Sequence, residues 1–481
     1  MKPCAAVLVA MLACARTASA PAAPSPVGTN LAAVRDWSTE LPFADLMKQS
    51  RVWISNTEAT WDDGRPLDLD AHGWPKRLLA GQRARTLLMW GDDVKPAGDF
   101  VVTWQGHGQL DFWPQEATVD KAGSRAVIHA DPKKGGLGLT ITETDPANPV
   151  KDVHAWPVGM EGKLFQPAFL ESLKGFSTLR FMDWVETNEA RLVRFGERPV
   201  VEDARWAERG VPLEVMIDLC NATHTDMWLT IPDTWDDDAV AKAAALVHAR
   251  LAPALALYVE SSNEVWNGIF PQAVRARERG LKDKLAGDPF EAQLKRHAAR
   301  SVEIFRAFEA AFERPRLVRV LASMAATPNA SAVLLDAAGA HVDALAIAPY
   351  VGGSIADPGT ATSVDAIFRA LGADVAALPD LVRAHKVLAD AHRVRLIAYE
   401  GGQHLVGDFD AMTAANRDPR MKSLYARMLQ VWRDNGGGLF VHYLDVAAPS
   451  KFGRWGARES VDQPRARAPK LDALLTFAEG K

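Results

Sequence analysis

Cysteine is scarce in this chain: its 481 residues include only Cys4, Cys14 and Cys220. Two of the three lie in an N-terminal segment with the features of a cleaved export signal, so the mature chain would keep Cys220 alone. A single cysteine excludes an internal disulfide, even in an oxidising compartment. Stability must therefore come from a buried core, and a hydrophobic content of 48% supplies the material for one.

The export signal is predicted over residues 1–20. Lys2 supplies a positive charge, residues 5–13 form an apolar stretch too short to span a bilayer, and Ala18-Ser19-Ala20 offers small residues for cleavage. These features predict a secreted or periplasmic protein. Lipid attachment at Cys14 is the less favoured alternative, because the residue next but one before it is larger than is usual at such sites.

Long basic runs are also missing, and the formal net charge is -5 with a pI near 6.2. A chain that binds nucleic acid needs a basic face, so we expect no nucleic-acid partner. No later segment is apolar for long enough to cross a membrane. The sequence also lacks a Gly-rich phosphate loop after its first strand, a Gly-x-Ser-x-Gly turn and short His/Cys/Asp spacings. We therefore expect no cofactor, no metal and no serine-hydrolase chemistry. We also expect a monomer.

What the sequence does contain is an alternation of strand-like and helix-like segments, typical of βαβ units. The predicted strands are 27–31, 178–182, 227–231, 255–260, 316–321, 344–348, 394–399 and 438–442. The predicted helices are 239–251, 291–312, 331–338, 380–391 and 422–435. Eight strands of this kind predict an α/β fold, a closed (β/α)₈ TIM barrel. An open, doubly wound sheet is the alternative.

Residues 98–157 have a different pattern. Short β-rich runs such as 100–104 and 137–144 are separated by Gly, Asp and Pro, which indicates antiparallel strands joined by turns. We therefore predict a small antiparallel β unit inserted into the barrel. Residues 27–97 would then form the start of the barrel with a connecting segment, and residues 160–480 its remainder.

Two of the predicted strands end on carboxylates. The fourth strand runs into Ser262-Asn263-Glu264-Val265-Trp266, and the seventh ends with Tyr399-Glu400-Gly401. The carboxyl ends of the strands form the active site in barrels of this kind, so we expect Glu264 and Glu400 to face each other. Two facing carboxyl groups, one protonated and one ionised, are what the hydrolysis of a glycosidic bond requires.

This arrangement resembles that of the clan A retaining glycoside hydrolases, (β/α)₈-barrel enzymes that include cellulases, mannanases, xylanases and β-galactosidases. The resemblance implies that Glu264 is the acid/base and Glu400 the nucleophile. Asn263 would hold the sugar 2-hydroxyl beside them. Arg180 on the second strand and Tyr350 after the sixth would lie near the nucleophile.

Other positions allow two interpretations. Glu260 fits the clan's pattern, but we interpret it first as a buried partner of Arg180, which is itself either a site residue or part of a core ion pair. The eighth strand lacks the tryptophan that commonly lines the clan's central subsite, and Trp184 or Trp455 would replace it. The acid/base is followed by Val265-Trp266-Asn267, where several families of the clan have proline, and Trp266 is a further candidate for supporting the site. The same segment also resembles poorly characterised secreted proteins labelled cellulose-binding.

These observations together predict a secreted retaining β-glycosidase that hydrolyses O-glycosidic bonds of a polysaccharide by double displacement. Its partner would be a polysaccharide or oligosaccharide substrate. The 15 tryptophans, against 5 tyrosines, fit stacking on sugar rings, although we expect most of them in the core. Two alternatives remain open: a non-catalytic carbohydrate-binding barrel, and a transglycosylase with the same pair of carboxylates.

Overall fold

The computed structural model describes residues 26–480, apart from 121–123, 192, 314, 357–362 and 408. The predicted export signal lies outside the described residues. The strands, in chain order, are β1 (Val27–Asn30), β2 (Ile54–Asn56), β3 (Asp68–Leu69), β4 (Pro75–Arg77), β5 (Arg83–Met89), β6 (Gly98–Gln105), β7 (Gly108–Trp113), β8 (Glu116–Val119), β9 (Arg125–Ala130), β10 (Leu137–Thr144), β11 (Lys151–Pro157), β12 (Thr178–Arg180), β13 (Asp226–Ile231), β14 (Leu257–Ser261), β15 (Leu317–Ala322), β16 (Ala344–Ile347), β17 (Arg395–Ala398) and β18 (Phe440–His442).

Strand β1 and strands β12 to β18 form a closed parallel barrel in the order of the chain. Strand β1 pairs in parallel with both β12 and β18, which closes the ring. Every one of the eight strands predicted from the sequence overlaps one of these, so the predicted (β/α)₈ barrel is confirmed. Strands β14 and β15 are buried along their whole length, which explains why they are nearly continuous apolar runs in the sequence.

Helices surround the barrel. They are α1 (Pro167–Ser172), α2 (Leu213–Thr223), α3 (Asp237–Arg250), α4 (Pro271–Lys282), α5 (Pro289–Glu309), α6 (Pro328–Ala338), α7 (Val364–Ala391), α8 (Asp410–Arg417), α9 (Arg420–Asp434) and α10 (Pro469–Ala478). Helix α7 begins 16 residues before the predicted start at 380 and includes Pro379. Proline removes one helical hydrogen bond, but Val375, Leu378 and Val382 bury the helix face on both sides of it, and this packing keeps the helix continuous.

The antiparallel strands lie between the first and second strands of the barrel. They form two four-stranded sheets, ordered β2-β5-β10-β7 and β11-β6-β9-β8, with the small pair β3-β4 beside them. Leu88 and Leu139 from the first sheet share one apolar core with Val102 and Ile128 from the second, so the unit is a sandwich. Its strands begin at Ile54, whereas the sequence pattern predicted an inserted unit only from residue 98.

The earlier start has a physical reason. Strand β5 pairs with β10 and supplies Ala84 and Leu88 to the shared core, but its short alternation with arginines gives a weak strand signal. Residues 54–97 therefore contribute strands to the sandwich as well as connecting it to the barrel. The division of the chain into domains is otherwise still a prediction.

Two apolar layers position the ends of the barrel strands. One fills the barrel interior and includes Trp228, Val320, Ile397 and Tyr399, and the other lies between the strands and the helices. Because all eight strands are parallel, their carboxyl ends meet at one face of the barrel. Within the part of the chain that is described, no helix has both the length and the apolar character needed to cross a membrane.

A histidine buried in the layer between the strands and the helices should make the stability of the protein depend on pH. His297 on α5 is 4% exposed, and burial lowers its pKa to about 4. Below its ordinary pKa of 6.5 the unfolded chain binds a proton that the folded chain does not. The free energy of unfolding should therefore fall as the pH drops from 6.5 to 4, by up to about 1.4 kcal/mol per pH unit from this residue.

Urea unfolding at several pH values would measure this slope in wild type and in His297→Gln. We expect a shallower slope in the variant over that pH range. His107→Gln serves as the control, since the side chain of His107 is 76% exposed. An unchanged slope in His297→Gln would contradict the assignment.

Candidate active site

Arg180, the last residue of β12, lies at the centre of the candidate site and is fully buried. Its Nε donates to Glu260 Oε2 at 2.9 Å and its Nη2 to Glu260 Oε1 at 3.1 Å, which makes a bidentate pair. Its Nη1 donates to Glu400 Oε2 at 3.3 Å. Burial alone would lower the pKa of Arg180, but the two carboxylates raise it above its ordinary value. The guanidinium therefore stays charged inside the barrel.

The remaining N–H groups of Arg180 are also bonded. Nη1 donates to Asn30 Oδ1 at 3.0 Å, and Nη2 donates to Asn263 Oδ1 at 2.9 Å. All five guanidinium N–H groups thus have an acceptor, and the planar fork is held in one orientation. The ring of Tyr399 lies 5.1 Å from the guanidinium carbon and adds a cation–π contact.

Glu260 is enclosed by its partners. It is 1% exposed, and besides the bidentate pair with Arg180 it accepts a hydrogen bond from Trp228 Nε1 at 2.8 Å. With both oxygens occupied by donors, this carboxylate neutralises Arg180 and holds it in place. This is the structural interpretation that the sequence favoured for Glu260.

Glu400 follows β17 and is 7% exposed. Tyr350, which lies just after β16, donates from its hydroxyl to Glu400 Oε1 at 3.2 Å, and Arg180 reaches the other oxygen. Burial and the charge of Glu264 raise the pKa of Glu400 to about 8, although Arg180 and Tyr350 act to lower it. Arg180 and Tyr350 together fix the carboxylate and favour its ionised form.

Glu264 lies in a tight turn after β14. Its φ of +43° and the φ of +58° at Ser262 are in the left-handed region, which costs free energy for residues with a Cβ atom. The Tyr399 hydroxyl donates to Glu264 Oε1 at 3.1 Å, and Asn267 Nδ2 donates to Oε2 at 2.9 Å. Burial raises the pKa of Glu264. Both hydrogen-bond donors to this carboxyl group are neutral.

Asn263 links the turn to the arginine. Its Oδ1 accepts from Arg180, and its Nδ2 donates to Asn188 Oδ1 at 3.2 Å. Since an amide nitrogen carries two hydrogens and Nδ2 has this one acceptor among the described residues, one N–H of Asn263 is left for another acceptor. Asn263 is thus oriented by its neighbours and retains a donor beside the two carboxyl groups.

Aromatic rings gather next to Glu400. The ring centroid of Trp455 lies 5.8 Å from that of Tyr350, 5.2 Å from that of His404 and 5.6 Å from that of Tyr443. Trp455 Nε1 donates to the Phe452 carbonyl at 3.0 Å, which fixes the indole. Of the tryptophans considered from the sequence, Trp455 is the one that contacts the tyrosine bonded to Glu400.

The other two tryptophans lie in apolar layers. Trp184 is fully buried, packs against Phe43 with ring centroids 5.4 Å apart, and donates to the Ala32 carbonyl at 3.1 Å. A ring with no exposed surface offers no face to a ligand, so the expectation that Trp184 lines the site is wrong. Trp266 packs against the apolar layer between the strands and the helices, although it is only two residues from Glu264.

Sequence reasoning missed several residues of the site. Tyr399 donates a hydrogen bond to Glu264, and Trp228 donates one to Glu260. Asn30 accepts a hydrogen bond from Arg180. Tyr443 follows the eighth strand, and its ring packs against that of Trp455. Asn30 and Tyr443 stand at or just after strand ends, a position that marks them as candidates without identifying their partners. Among the described residues, no group of three or more His, Cys, Asp and Glu side chains has the geometry of a metal site.

Comparisons with known proteins give distant similarities only. No family model matches the chain, and no curated protein matches its sequence at a significant level. Solved structures with similarity include an arabinofuranosidase (13% identity over 66% of this chain and 64% of that chain, TM-score 0.40). A second is the family 51 α-L-arabinofuranosidase AbfB from Bifidobacterium longum (11% identity over 66% of this chain and 67% of that chain, TM-score 0.44). A third is a psychrophilic family 10 endo-β-1,4-xylanase (11% identity over 64% of this chain and 92% of that chain, TM-score 0.37). This chain thus spans slightly less than two thirds of the first of these proteins, and identities this low assign no activity.

Proposed function

We propose that this protein is a retaining glycoside hydrolase in which Glu400 is the nucleophile and Glu264 the acid/base. The observation that carries the proposal is the unequal surroundings of the two carboxyl groups. Glu400 accepts hydrogen bonds from the guanidinium of Arg180 and from Tyr350, whereas the donors to Glu264 among the described residues, Tyr399 and Asn267, are neutral.

The charges around Arg180 bear on which of the two carboxyl groups, Glu264 or Glu400, carries a proton. Glu260 already neutralises Arg180 through a bidentate pair, so Glu264 and Glu400 together would place two further negative charges in a buried space. Two such groups hold one proton between them near neutral pH. Since Glu400 is the carboxyl group bonded to the guanidinium, we assign the negative charge to Glu400 and the shared proton to Glu264. This is the division of roles that double displacement requires.

The reaction follows from these roles. Glu400 attacks the anomeric carbon while Glu264 gives its proton to the departing oxygen, which leaves a covalent glycosyl ester on Glu400. Glu264 then takes a proton from a water molecule, and the oxygen of that water attacks the anomeric carbon. The bond between this carbon and Glu400 breaks, which restores the carboxylate of Glu400. The free N–H of Asn263 is available for the sugar 2-hydroxyl. Tyr350 and Arg180 hold Glu400 in the attacking orientation.

Aromatic residues support a sugar as the substrate. Trp455, with Tyr350 and Tyr443 against it, forms an aromatic wall beside Glu400. Flat rings of this kind cover the apolar face of a pyranose. Together with the predicted export signal, this wall favours a polysaccharide outside the cytoplasm as the substrate of a secreted or periplasmic enzyme.

The separation of the two carboxyl groups tests the mechanism. We expect the carboxyl groups of Glu264 and Glu400 to lie about 5–5.5 Å apart in a crystal structure, as in retaining enzymes. A separation near 9 Å would instead indicate inversion with a water between the groups. Proton NMR of the first-formed product of a β-linked substrate would check the same point, since retention gives the β-anomer before mutarotation.

Screening would test the activity itself. Purified protein should release reducing sugar from at least one polysaccharide in a panel of β-glucan, mannan, xylan and bacterial exopolysaccharide. Glu400→Gln protein prepared in parallel should release none. Binding without release by wild type would favour a non-catalytic carbohydrate-binding barrel. Longer products in place of reducing sugar would favour a transglycosylase.

A further inference from the structure

Three tryptophans form a row on one face of the β-sandwich. Trp61 lies next to Trp113, with ring centroids 5.2 Å apart, and Trp113 lies next to Trp90 at 5.3 Å. Trp61 is 49% exposed, and the other two are half-buried. We call these residues the tryptophan row. Three adjacent, partly exposed indoles are more than a sandwich needs, since its apolar core lies on the opposite face of the sheet.

Glycines let two of these rings lie against the sheet. A Cβ atom on Gly138 would stand 2.3 Å from the ring of Trp113, and one on Gly136 would stand 2.3 Å from the ring of Trp90. Neither glycine has an unusual φ, so close approach of a ring is the reason a side chain does not fit there. Trp113 is further fixed by its Nε1, which donates to Thr140 Oγ1 at 3.0 Å. Trp113 and Trp90 are therefore held against the sheet.

Polar groups border the same surface. The guanidinium carbon of Arg85 is 4.8 Å from the ring centroids of both Trp61 and Trp113, and Arg85 Nε donates to Thr140 Oγ1 at 3.3 Å. Among the described residues, no carboxylate forms an ion pair with Arg85. Asp111 is exposed and lies across Thr140 from Arg85, because Thr140 is in register with both. A groove of about 600 Å³ runs along Arg85, Trp113 and Asp111.

The row is continuous with the catalytic end of the barrel. The backbone N–H of Trp90 donates to the Asp36 carbonyl at 2.9 Å, and a Cβ atom on Gly91 would lie 3.4 Å from that of Trp37. Asp36 and Trp37 belong to the loop that follows β1, whose last residue, Asn30, bonds Arg180. Trp37 is itself 55% exposed. The indoles thus extend outward from the loop at the mouth of the barrel.

The chemistry of this surface fits a sugar chain. Indoles cover the apolar faces of pyranose rings. A sugar hydroxyl is both donor and acceptor, and Arg85 and Asp111 supply a donor and an acceptor on either side of Thr140, next to the indoles. A stable protein interface is well packed over about 1,000 Å² or more, whereas charged side chains border this groove. The negative net charge of the chain disfavours a polyanion.

We propose that the tryptophan row, with Arg85 and Asp111, is a second carbohydrate-binding surface that holds a neutral polysaccharide chain leading to the barrel. This inference rests on the proposed function for the identity of the ligand, but it concerns binding and not bond cleavage. It assigns the sandwich a role: retaining long substrates that extend beyond the cleft.

Affinity electrophoresis tests the surface without hydrolysis. Glu400→Gln protein would be run in gels containing β-glucan, mannan, xylan or galactan, with polygalacturonate as the acidic probe. We expect at least one neutral polysaccharide to retard the protein. Trp61→Ala and Arg85→Gln should each bind that polysaccharide about tenfold more weakly. Phe290→Ala, which removes an exposed ring from helix α5, is the matched control and should bind like its parent.

The outcomes separate this proposal from the proposed function. With Glu400 intact, Trp61→Ala should cleave a short aryl glycoside at the wild-type rate and lose activity only on the polymer. If wild type cleaves nothing but binding still depends on Trp61 and Arg85, the hydrolase proposal fails and the surface stands. Unchanged binding in both variants, binding to polygalacturonate alone, or no binding to any neutral probe would overturn the surface. Thermal unfolding would verify that each variant is folded.

Discussion

Glu400→Gln should lower turnover by on the order of 10⁴- to 10⁶-fold while leaving the fold intact. Glu400 follows a barrel strand and is bonded through its carboxylate to Tyr350 and Arg180, so glutamine keeps the shape and removes no core packing. An amide is not a competent nucleophile, and without the glycosyl ester the double displacement has no first step. Steady-state rates and circular dichroism of the same preparation would measure both effects.

A matched control separates the loss of the nucleophile from the mere loss of a carboxylate that pairs with arginine. Glu303→Gln also replaces a carboxylate that pairs with arginines, Arg296 and Arg300, but on the outer face of helix α5. Its turnover should equal that of wild type. Wild-type turnover in Glu400→Gln itself would contradict the role of Glu400.

Glu264→Ala distinguishes the acid/base from the nucleophile. An aryl glycoside with a good leaving group needs little protonation, so the glycosyl ester should still form, and its hydrolysis should be slowed by about 10²- to 10⁴-fold. Azide attacks the ester without a general base and fits the space left by the side chain. We expect added azide to restore turnover in Glu264→Ala and to give a β-glycosyl azide. Absence of any azide response would contradict the acid/base role.

Arg180→Met should have the largest effect on stability. The substitution leaves Glu260, which is 1% exposed, buried without its cation, and breaking a buried ion pair in this way costs about 3–5 kcal/mol. Removing the charge of Glu260 as well, in Arg180→Met/Glu260→Gln, should recover part of this loss. Urea unfolding of wild type and both variants would measure the difference in the free energy of unfolding.

The same substitution should shift the pH dependence of activity. Arg180 lowers the pKa of Glu400, so its loss raises that pKa further above the ordinary value. Because the nucleophile must be ionised, the acid limb of the kcat/KM profile should move to higher pH, by about 1–3 units. Arg420→Met, which removes an exposed arginine from helix α9, should leave both the profile and the stability close to wild type. An unmoved acid limb in Arg180→Met would mean that Arg180 does not act on Glu400.

The barrel could be predicted because its signals are local. Each of the eight strands is a short apolar run, and each predicted run overlaps an observed strand. Glu264 and Glu400 were found for a related reason: they follow the fourth and seventh strands, and in a closed parallel barrel such positions share one face. Where the local signal was weak or misleading, as in strand β5 with its alternating arginines and in helix α7 with Pro379, the boundaries differed.

The sequence by itself therefore determined the barrel, its order of strands and the positions of the two carboxylates. Only the tertiary structure decided which partners surround them. Arg180 and Glu400 are 220 residues apart in the chain, and their contact depends on how all eight strands close. The contact between the rings of Trp455 and Tyr350 likewise depends on the tertiary structure. So does the position of Trp184, which is buried in the core although it is only four residues beyond Arg180. Periodicity shows which residues face inward, but side-chain contacts between distant strands depend on the packing of the whole barrel.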